Sequence, residues 1–246
     1  MTDFGYEQVP EPEKARRVAS VFDRVAERYD VMNDLMSLGV HRLWKSFAIS
    51  IARPRPGERI LDVATGSADL ARALGRRVAP GGEVWLTDIN RSMLERGRDR
   101  VLDDGLLAPA VQCDAERLPF PSGYFDCVSV AFGLRNVADT DRGLAEMTRA
   151  CAPDGRVAVL EFSSPTWQPF KSIYGWYFRH VLPRIGKIFA RDSADAYEYL
   201  PTSVGEFPQG EALADRMRAA GLTDVRRYPL TLGVATLYVG RKAVSC

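Results

Sequence analysis

Residues 60–70 read Ile60-Leu61-Asp62-Val63-Ala64-Thr65-Gly66-Ser67-Ala68-Asp69-Leu70. The apolar run that ends at Ala64 predicts a buried parallel strand, and Thr65-Gly66-Ser67 ends that strand with turn-forming residues. From Asp69 onward the apolar residues recur at helical spacing. The chain therefore passes from a strand through a turn of small residues into a helix. Such a junction lets a ligand approach the backbone at the positive end of the helix.

Asp88 ends a second apolar run, Val84-Trp85-Leu86-Thr87, and lies 22 residues after Gly66. An acid at the tip of the second strand of a βαβ unit is placed to accept hydrogen bonds from a ribose diol. The alternative interpretation is an ordinary βαβ unit with a solvated acid at a strand end. The spacing alone suits NAD and S-adenosylmethionine equally well.

The glycines distinguish these two cofactors. A dinucleotide site uses the pattern G-x-G-x-x-G, which exposes the backbone to a pyrophosphate. Here Gly66 is followed by Ala68, Leu70 and Ala71, and no Walker-type Gly-Lys-Ser/Thr is present. A ligand without a pyrophosphate fits better. The loop is therefore interpreted as an S-adenosylmethionine site, and an NAD oxidoreductase is the disfavoured alternative.

Composition sets the outer bounds. A chain of 246 residues with 46% hydrophobic and 26% charged residues predicts a single globular domain over 1–246. The net charge of +1 gives no reason to expect nucleic acid. The N-terminus lacks the form of a signal peptide, and no apolar run reaches about 18 residues. The four cysteines show no metal-binding spacing, so no metal is expected and a reducing, cytoplasmic location is inferred.

The chain divides into four segments. Residues 1–52 are predicted to form helices over the ligand cleft, preceded by a loosely held tail at 1–12. Residues 58–163 form the cofactor-binding core, residues 164–206 a helical insertion, and residues 207–246 a closing helix with two strands at an antiparallel edge. The alternation β-α-β-α-β-β-α-β predicts one Rossmann-like, mostly parallel, seven-stranded α/β sheet.

Two further acidic or basic groups follow strands of this sheet. In doubly wound sheets the carboxyl ends of the strands line the ligand crevice. Asp114 ends the third strand and is placed to receive an adenine amino group, although an exposed loop acid is the alternative. Residues 133–137, Gly-Leu-Arg-Asn-Val, follow the fourth strand and are expected to face the same crevice.

Residues 167–190 break the alternation of strands and helices. This segment interleaves many aromatic residues with basic ones and contains no acid. The basic residues include Lys171, Arg179, Arg184 and Lys187. The composition suits a membrane interface or an apolar ligand pocket. The alternative is a helical cap packed on the sheet, and both interpretations can hold together.

Motifs along nearly the whole chain resemble the menaquinone/ubiquinone biosynthesis C-methyltransferase family. The two specific motifs are Tyr29-Asp30-x-Met32-Asn33-x-x-x-Ser37-x-x-x-His41-x-x-Trp44 and Gly133-Leu134-Arg135-Asn136. Further matches are Asp88-Ile89-Asn90-x-Ser92-Met93-Leu94, Leu118-Pro119-Phe120-Pro121, Leu160-Glu161-Phe162-Ser163, His180-Val181-Leu182-Pro183 and Tyr199-Leu200-Pro201. One departure is that the family reads Gly-Gly-Thr-Gly-Asp where this chain has residues 65–69. Two glycines are thus replaced, and the loop is expected to approach the cofactor less closely.

The resemblance implies a class I S-adenosylmethionine-dependent methyltransferase that acts on a ring carbon of a polyprenylated hydroquinone. The expected cofactor contacts are Ala64, Gly66, Ser67, Asp69, Asp88, Ile89, Asp114, Ala115 and Ala131. Arg135 is expected to supply positive charge, and Asn136 a hydrogen-bond donor, to the developing phenolate. Arginine is a poor base, so any assistance to deprotonation would pass through water. Tyr29 is a second catalytic candidate in the lid.

The implied partners are the polyprenyl hydroquinone and a membrane surface at its cytoplasmic face, without nucleic acid. A homodimer stays open, as do the benzo- or naphtho-type of the ring and the tail length. One alternative function is methylation of another phenolic small molecule. Another is a non-catalytic scaffold with the same fold, for which the replacements at Thr65 and Ala68 are the sequence sign.

Overall fold

The computed structural model describes residues 2–4, 7–9, 34, 37, 39–165, 167–181 and 203–244. The helices are α1 (His41–Ala52), α2 (Asp69–Val78), α3 (Arg91–Asp103), α4 (Thr140–Ala150), α5 (Gln168–Trp176) and α6 (Glu211–Ala219). The strands are β1 (Thr2–Phe4), β2 (Glu7–Val9), β3 (Arg59–Val63), β4 (Glu83–Asp88), β5 (Ala110–Gln112), β6 (Phe125–Ala131), β7 (Cys151–Phe162), β8 (Leu222–Leu230) and β9 (Ala235–Lys242). Short 3-10 turns occupy Leu134–Asn136 and Thr231–Gly233, and a π-helical turn occupies Tyr177–Val181.

Seven strands form one sheet in the order β5-β4-β3-β6-β7-β9-β8. Strands β3 to β7 pair in parallel, whereas β9 pairs antiparallel with both β7 and β8. The predicted Rossmann-like, mostly parallel sheet with an antiparallel edge is confirmed. The strand order reverses beside β3, since β4 and β5 lie on one side of it and β6 and β7 on the other. Such a switch point leaves a crevice at the carboxyl ends of the strands.

The two faces of the sheet are covered by different helices. Side chains alternate between the faces of a strand, so Ile60 lies on the opposite side from Leu61 and Val63. Ile60 packs with apolar residues of α1, α2 and α3, whereas Leu61 and Val63 pack with α4 and α6. Because both faces of β3 are buried, the strand that leads into residues 64–68 is held rigidly in the middle of the sheet.

Within the tail predicted at residues 1–12, strands β1 and β2 pair antiparallel and form a two-stranded sheet separate from the main one. One local prediction was wrong. The turn predicted at residues 152–155 lies within β7. The pairing there jumps from Phe125 with Cys151 to Cys127 with Arg156, and the intervening residues form an irregularity in which Asp154 has φ of 59°.

Several predicted features lie outside the described residues, namely the helix over 13–28, Tyr29 and the segment 182–202. Where the predicted insertion is described, at residues 167–181, the chain is helical throughout α5 and the π-helical turn. Among the helices that the structure describes, none combines the length and the hydropathy that crossing a bilayer requires.

Candidate active site

A cleft lies at the carboxyl ends of β3, β4, β5 and β6, where the strand order reverses. It has a volume of about 790 Å³, including space open to solvent. Most of the predicted cofactor residues line it: Ala64, Gly66, Asp88, Ile89, Asp114 and Ala115. The candidate catalytic residue Asn136 lines the same cleft. The topology thus brings together side chains from four separate loops.

The loop between β3 and α2 has an unusual backbone. Ala64, Gly66 and Ala68 have φ angles of 51°, 55° and 60°. Side-chain-bearing residues pay roughly 1–2 kcal/mol for this left-handed conformation, which glycine adopts freely. Ala68, which replaces the family's glycine, therefore keeps the backbone conformation that a glycine would allow, at a cost in stability.

Helix α3 packs directly against this loop at Gly97. A Cβ atom at position 97 would lie 2.7 Å from the carbonyl oxygen of Gly66 and 3.1 Å from the Cβ of Ala68. Contacts this short are repulsive, so the backbone of α3 approaches the loop only because residue 97 has no side chain. Asn90 begins the same helix by accepting a 2.9 Å hydrogen bond from Met93 N. The loop and the first turn of α3 are consequently fixed relative to each other.

Asp88 is the buried acid of the cleft. Its Oδ2 accepts a hydrogen bond from Gly66 N and its Oδ1 accepts one from Asn90 N, both at 2.9 Å. Burial raises the pKa of this carboxyl to about 6, although the backbone donors act in the opposite direction. A carboxylate offers about four lone-pair sites. Asp88 can therefore accept further hydrogen bonds from a ligand's hydroxyl groups while its own backbone partners stay in place.

Asp114 lies beside Asp88 at the next strand end. Its Oδ1 accepts a 3.0 Å hydrogen bond from Glu116 N, and Cys113 N donates to the carbonyl oxygen of Asp88 at 3.1 Å. These bonds tie the loop after β5 to the end of β4. Two carboxylates consequently face one cleft with a fixed separation, as a ligand with a ribose at one point and an amino group at another would require.

A second cavity of about 320 Å³, including space open to solvent, adjoins the cleft. Ala64 and Phe132 line both spaces, so the two meet at the end of β3. The predicted cofactor residues Ser67 and Ala131 line this second cavity. Its charged lining residues are Lys45 from α1 and Asp62 from β3.

Asp62 is fully buried at the floor of the second cavity. Its Oδ1 accepts a 2.6 Å hydrogen bond from Ser129 Oγ, and its Oδ2 accepts one of 2.8 Å from Thr65 Oγ1. Burial raises the pKa of Asp62 to about 6, against the effect of these hydroxyl donors and of the nearby Lys45 charge. The carboxylate therefore holds the loop after β3 through its hydrogen bond with Thr65.

Asp69 departs from its predicted contact with the cofactor. Among the described residues it lies outside the lining of both spaces, and its carboxylate binds cations instead. Its Oδ1 lies 2.8 Å from Arg100 Nη2, and its Oδ2 lies 3.2 Å from Lys45 Nζ. The Lys45 and Arg100 charges lower the pKa of Asp69 although burial raises it. The acid at the start of α2 thus positions neighbouring cations.

Arg135 also requires a correction. Its side chain is 1% exposed, whereas the sequence predicted a charge facing the crevice. Nη1 donates to Glu161 Oε2 at 2.8 Å and to the carbonyl oxygen of Phe132 at 2.7 Å, and the backbone N of Arg135 donates to Glu161 Oε1 at 3.2 Å. A buried guanidinium is tolerated only when a carboxylate neutralises it. Arg135 therefore fixes the 3-10 turn that carries Asn136 into the cleft.

Sequence reasoning missed Glu161 and Lys45. Glu161 lies near the end of β7 and within a matched motif, so its position was the available signal. Lys45 follows the N-terminal signature directly, but nothing in its spacing connects it to the loop after β3. The third catalytic candidate, Tyr29, lies outside the described residues. Within the described ranges, no group of three or more His, Cys, Asp or Glu side chains is arranged to hold a metal.

The family profile described as the ubiE/COQ5 methyltransferase family matches residues 11–242. The chain belongs to this family. The relative from Bordetella parapertussis is 57% identical over 239 residues, which cover 97% of this chain and 92% of that protein. The relative from Ralstonia nicotianae is 55% identical over 241 residues, which cover 98% of both. Both relatives are named ubiquinone/menaquinone biosynthesis C-methyltransferase UbiE.

Solved structures agree on the fold. The cyclase SpnF superposes with a TM-score of 0.67 at 15% identity, covering 99% of this chain and 100% of that one. A SAM-dependent methyltransferase from Aquifex aeolicus superposes with a TM-score of 0.56 at 15% identity, covering 80% and 88%. The protein is a class I methyltransferase by fold and family, and its methyl donor is S-adenosylmethionine.

The cleft fits that donor. Asp88 is a buried carboxylate with acceptor capacity left for hydroxyl groups, and Asp114 faces the same space. The loop after β3 uses Gly66 N to bind Asp88, so this amide is not directed at a phosphate as in a pyrophosphate-binding loop. The chemistry of these groups suits a ligand with a ribose and an adenine and without a pyrophosphate.

Proposed function

We propose that this protein transfers a methyl group from S-adenosylmethionine to a ring carbon of a polyprenylated hydroquinone in ubiquinone/menaquinone biosynthesis. The observation that carries the proposal is that one cleft contains both Asp88, suited to the cofactor's ribose, and Asn136, suited to an anionic oxygen of the substrate. The family membership supplies the substrate class, because the relatives are named for this pathway.

In this proposal Asp88 accepts hydrogen bonds from the ribose hydroxyls, and Asp114 accepts a hydrogen bond from the adenine amino group. Charge-assisted hydrogen bonds of this kind are stronger than neutral ones, and both acids are tied to neighbouring backbone before the ligand arrives. Because the acceptors are already oriented, the reacting carbon and the methyl group can be held close and in line. When bound, S-adenosylmethionine supplies an electrophilic methyl group on a positively charged sulfur.

The substrate must lose a hydroxyl proton so that electron density reaches the ring carbon. In our proposal the hydroxyl proton passes to water in the cleft, and the Asn136 amide donates a hydrogen bond to the resulting phenolate oxygen. The methylated ring carbon then releases its own proton to water, which restores the aromatic ring. Arg135 acts through its ion pair with Glu161, which holds the turn of Asn136. Tyr29 stays a candidate for a second donor from the N-terminal segment.

Helix α5 supports a contact with the membrane surface. Phe170, Tyr174 and Tyr177 recur at helical spacing and pack against the apolar cluster that contains Trp44, Phe132 and Phe162. On the same helix, Ile173 and Trp176 are more than half exposed. The helix is thus a cap on the sheet and also presents apolar side chains outward, as an interfacial helix does. We propose that this outer face touches the bilayer that holds the prenyl tail.

The experiment is a methyl-transfer assay with purified protein, labelled S-adenosylmethionine and three acceptors: a long-tailed demethylated hydroquinone in vesicles, a short-tailed analogue, and a soluble phenol. We expect labelled C-methyl product from both quinols and little from the phenol. Equal turnover of the phenol would favour methylation of another small molecule, and failure to bind the cofactor would favour a scaffold. Ile173→Ser with Trp176→Ser should slow the long-tailed substrate selectively. The matched control is Leu107→Ser, which removes an even more exposed apolar side chain before β5.

A further inference from the structure

The second cavity contains a lysine with an incompletely neutralised charge. Lys45 is on the cavity-facing side of α1, and its side chain is only 13% exposed. Its Nζ donates a hydrogen bond to Asp69 Oδ2 at 3.2 Å. The same carboxylate binds Arg100 more closely, at 2.8 Å, whereas Arg72 is bonded to Asp104 at 2.7 Å. Asp69 therefore shares its charge between Lys45 and Arg100.

The second cavity lies next to the cleft. Ala64 and Phe132 belong to both linings, and Asp88 and Asp114 line the cleft only. A ligand that reaches from these two acids into the second cavity has to pass Ala64 and Phe132. The arm of S-adenosylmethionine beyond its ribose ends in an amino acid group, which carries one carboxylate and one ammonium.

The lining matches such a group in charge. Lys45 and Asp62 are the charged side chains of the lining, and the remaining side chains are Ala64, Thr65, Ser67, Leu70, Ala131 and Phe132. A zwitterion needs one partner of each sign, and a small, mostly enclosed space strengthens both interactions relative to water. Neither the cavity nor Lys45 is used by the adenosine contacts described above.

We propose that Lys45 binds the carboxylate of the methionine portion of S-adenosylmethionine. Asp69 is the positioning residue, because it holds the ammonium group of Lys45 at the edge of the cavity. This inference rests on the proposed function, because it assumes that the cofactor lies in the cleft. It assigns a role to α1, which lies outside the βαβ core and precedes the first strand of the main sheet.

The test compares two ligands that differ by the amino acid group. S-adenosylhomocysteine carries it, whereas 5′-methylthioadenosine keeps the adenosine and the sulfur without it. Isothermal titration calorimetry of Lys45→Met should show about 10- to 100-fold weaker binding of S-adenosylhomocysteine, the range for a lost charge-assisted hydrogen bond. Binding of 5′-methylthioadenosine should change by less than about twofold. Arg42→Met is the matched control, since it removes a positive charge from the same helix at an exposed position.

Each outcome bears on the proposal. Unchanged S-adenosylhomocysteine affinity in Lys45→Met would overturn it. An equal loss for both ligands would overturn it as well, since Lys45 would then support the fold of the site; retained 5′-methylthioadenosine binding shows that the variant is folded. Asp69→Asn should produce a smaller loss, again confined to the ligand with the carboxylate. If the unaltered protein bound neither ligand, the proposed function itself would fail, which is a distinguishable result.

Discussion

Two buried charges lie at strand ends of the same sheet and differ in how they are neutralised. Asp88, at the end of β4, accepts hydrogen bonds from backbone amides, and no cation of the described residues forms an ion pair with it. Arg135, after β6, is bonded to Glu161 through its side chain and its backbone. Asp88 has acceptor capacity left for a ligand, whereas the charge of Arg135 is neutralised by Glu161. Of these two buried charges, the one without a counterion lines the cleft, and the one with a counterion holds the turn that carries Asn136.

The largest effect is expected when the ion pair of Arg135 and Glu161 is broken. Arg135→Met leaves the Glu161 carboxylate buried without its cation, which should lower the free energy of unfolding by about 3–5 kcal/mol. Urea unfolding followed by circular dichroism measures this change. The double variant Arg135→Met with Glu161→Gln should lose much less, because Gln keeps an acceptor for the backbone amides. Losses that simply add would contradict the assignment of the two residues as one ion pair.

Asn136 shares the turn of Arg135 but faces the cleft. Asn136→Ala should lower the methyl-transfer rate about 100-fold, the scale of one lost donor to a developing oxyanion. The affinity for S-adenosylhomocysteine should stay within about twofold, because the residue contacts the substrate in the proposed arrangement. A large loss of cofactor affinity with an unchanged rate at saturation would assign Asn136 to the cofactor site instead.

The Asp88→Ala variant tests directly whether the buried carboxylate of Asp88 binds the ribose. The variant should bind S-adenosylhomocysteine about 30-fold more weakly, since a pair of charge-assisted hydrogen bonds is lost. Calorimetry measures the affinity, and circular dichroism checks that the fold is intact. Asp103→Ala is a suitable control, because it removes an acid at the end of α3, away from the cleft lining. Unchanged binding by Asp88→Ala would refute the ribose assignment.

The raised pKa of Asp88 predicts a pH dependence of binding. Hydroxyl donors favour the ionised carboxylate, so the ligand binds the charged form and lowers the pKa from its value of about 6 in the empty site. Affinity is therefore full above pH 7 and should be about tenfold weaker at pH 5, where most of the carboxyl is protonated. Asp62 has a similarly raised pKa. The contribution of Asp88 is therefore the difference in the pH dependence of affinity between the unaltered protein and the Asp88→Asn variant. An identical pH profile for the two would exclude Asp88 as the titrating group.

The smallest effect is expected at the loop itself. Ala68→Gly relieves the left-handed strain of an alanine at φ of 60° but adds freedom to the unfolded chain. We expect a net stabilisation of no more than about 1 kcal/mol and cofactor binding that is retained or slightly tighter. Thermal unfolding with and without S-adenosylhomocysteine measures both. A clear loss of affinity would show that the loop is adapted to the alanine.

The sequence predicted what is local and missed what is tertiary. The strand, loop and helix at residues 60–70 and the acid at Asp88 follow from hydrophobic period, turn residues and spacing along one βαβ unit. The pair of Arg135 and Glu161 joins the turn after β6 to strand β7, the two residues are 26 positions apart in the chain, and only the side-chain geometry of the folded protein shows the pair. Lys45 lies on α1, and no periodicity in the sequence predicts that this helix packs beside the loop. The sequence thus indicated most of the residues that line the cleft, but it did not indicate the burial of Arg135 or the position of Lys45.

The close approach of α3 to the loop imposes unequal evolutionary freedom on two neighbouring positions. Residue 68 can exchange alanine and glycine at small cost, because its Cβ fits in the space available. Residue 97 cannot leave glycine, since a side chain there would meet the carbonyl oxygen of Gly66 even after Ala68 had reverted to glycine. A single substitution at residue 68 can thus restore one of the two glycines that this loop lacks, whereas the packing of α3 against the loop requires glycine at residue 97.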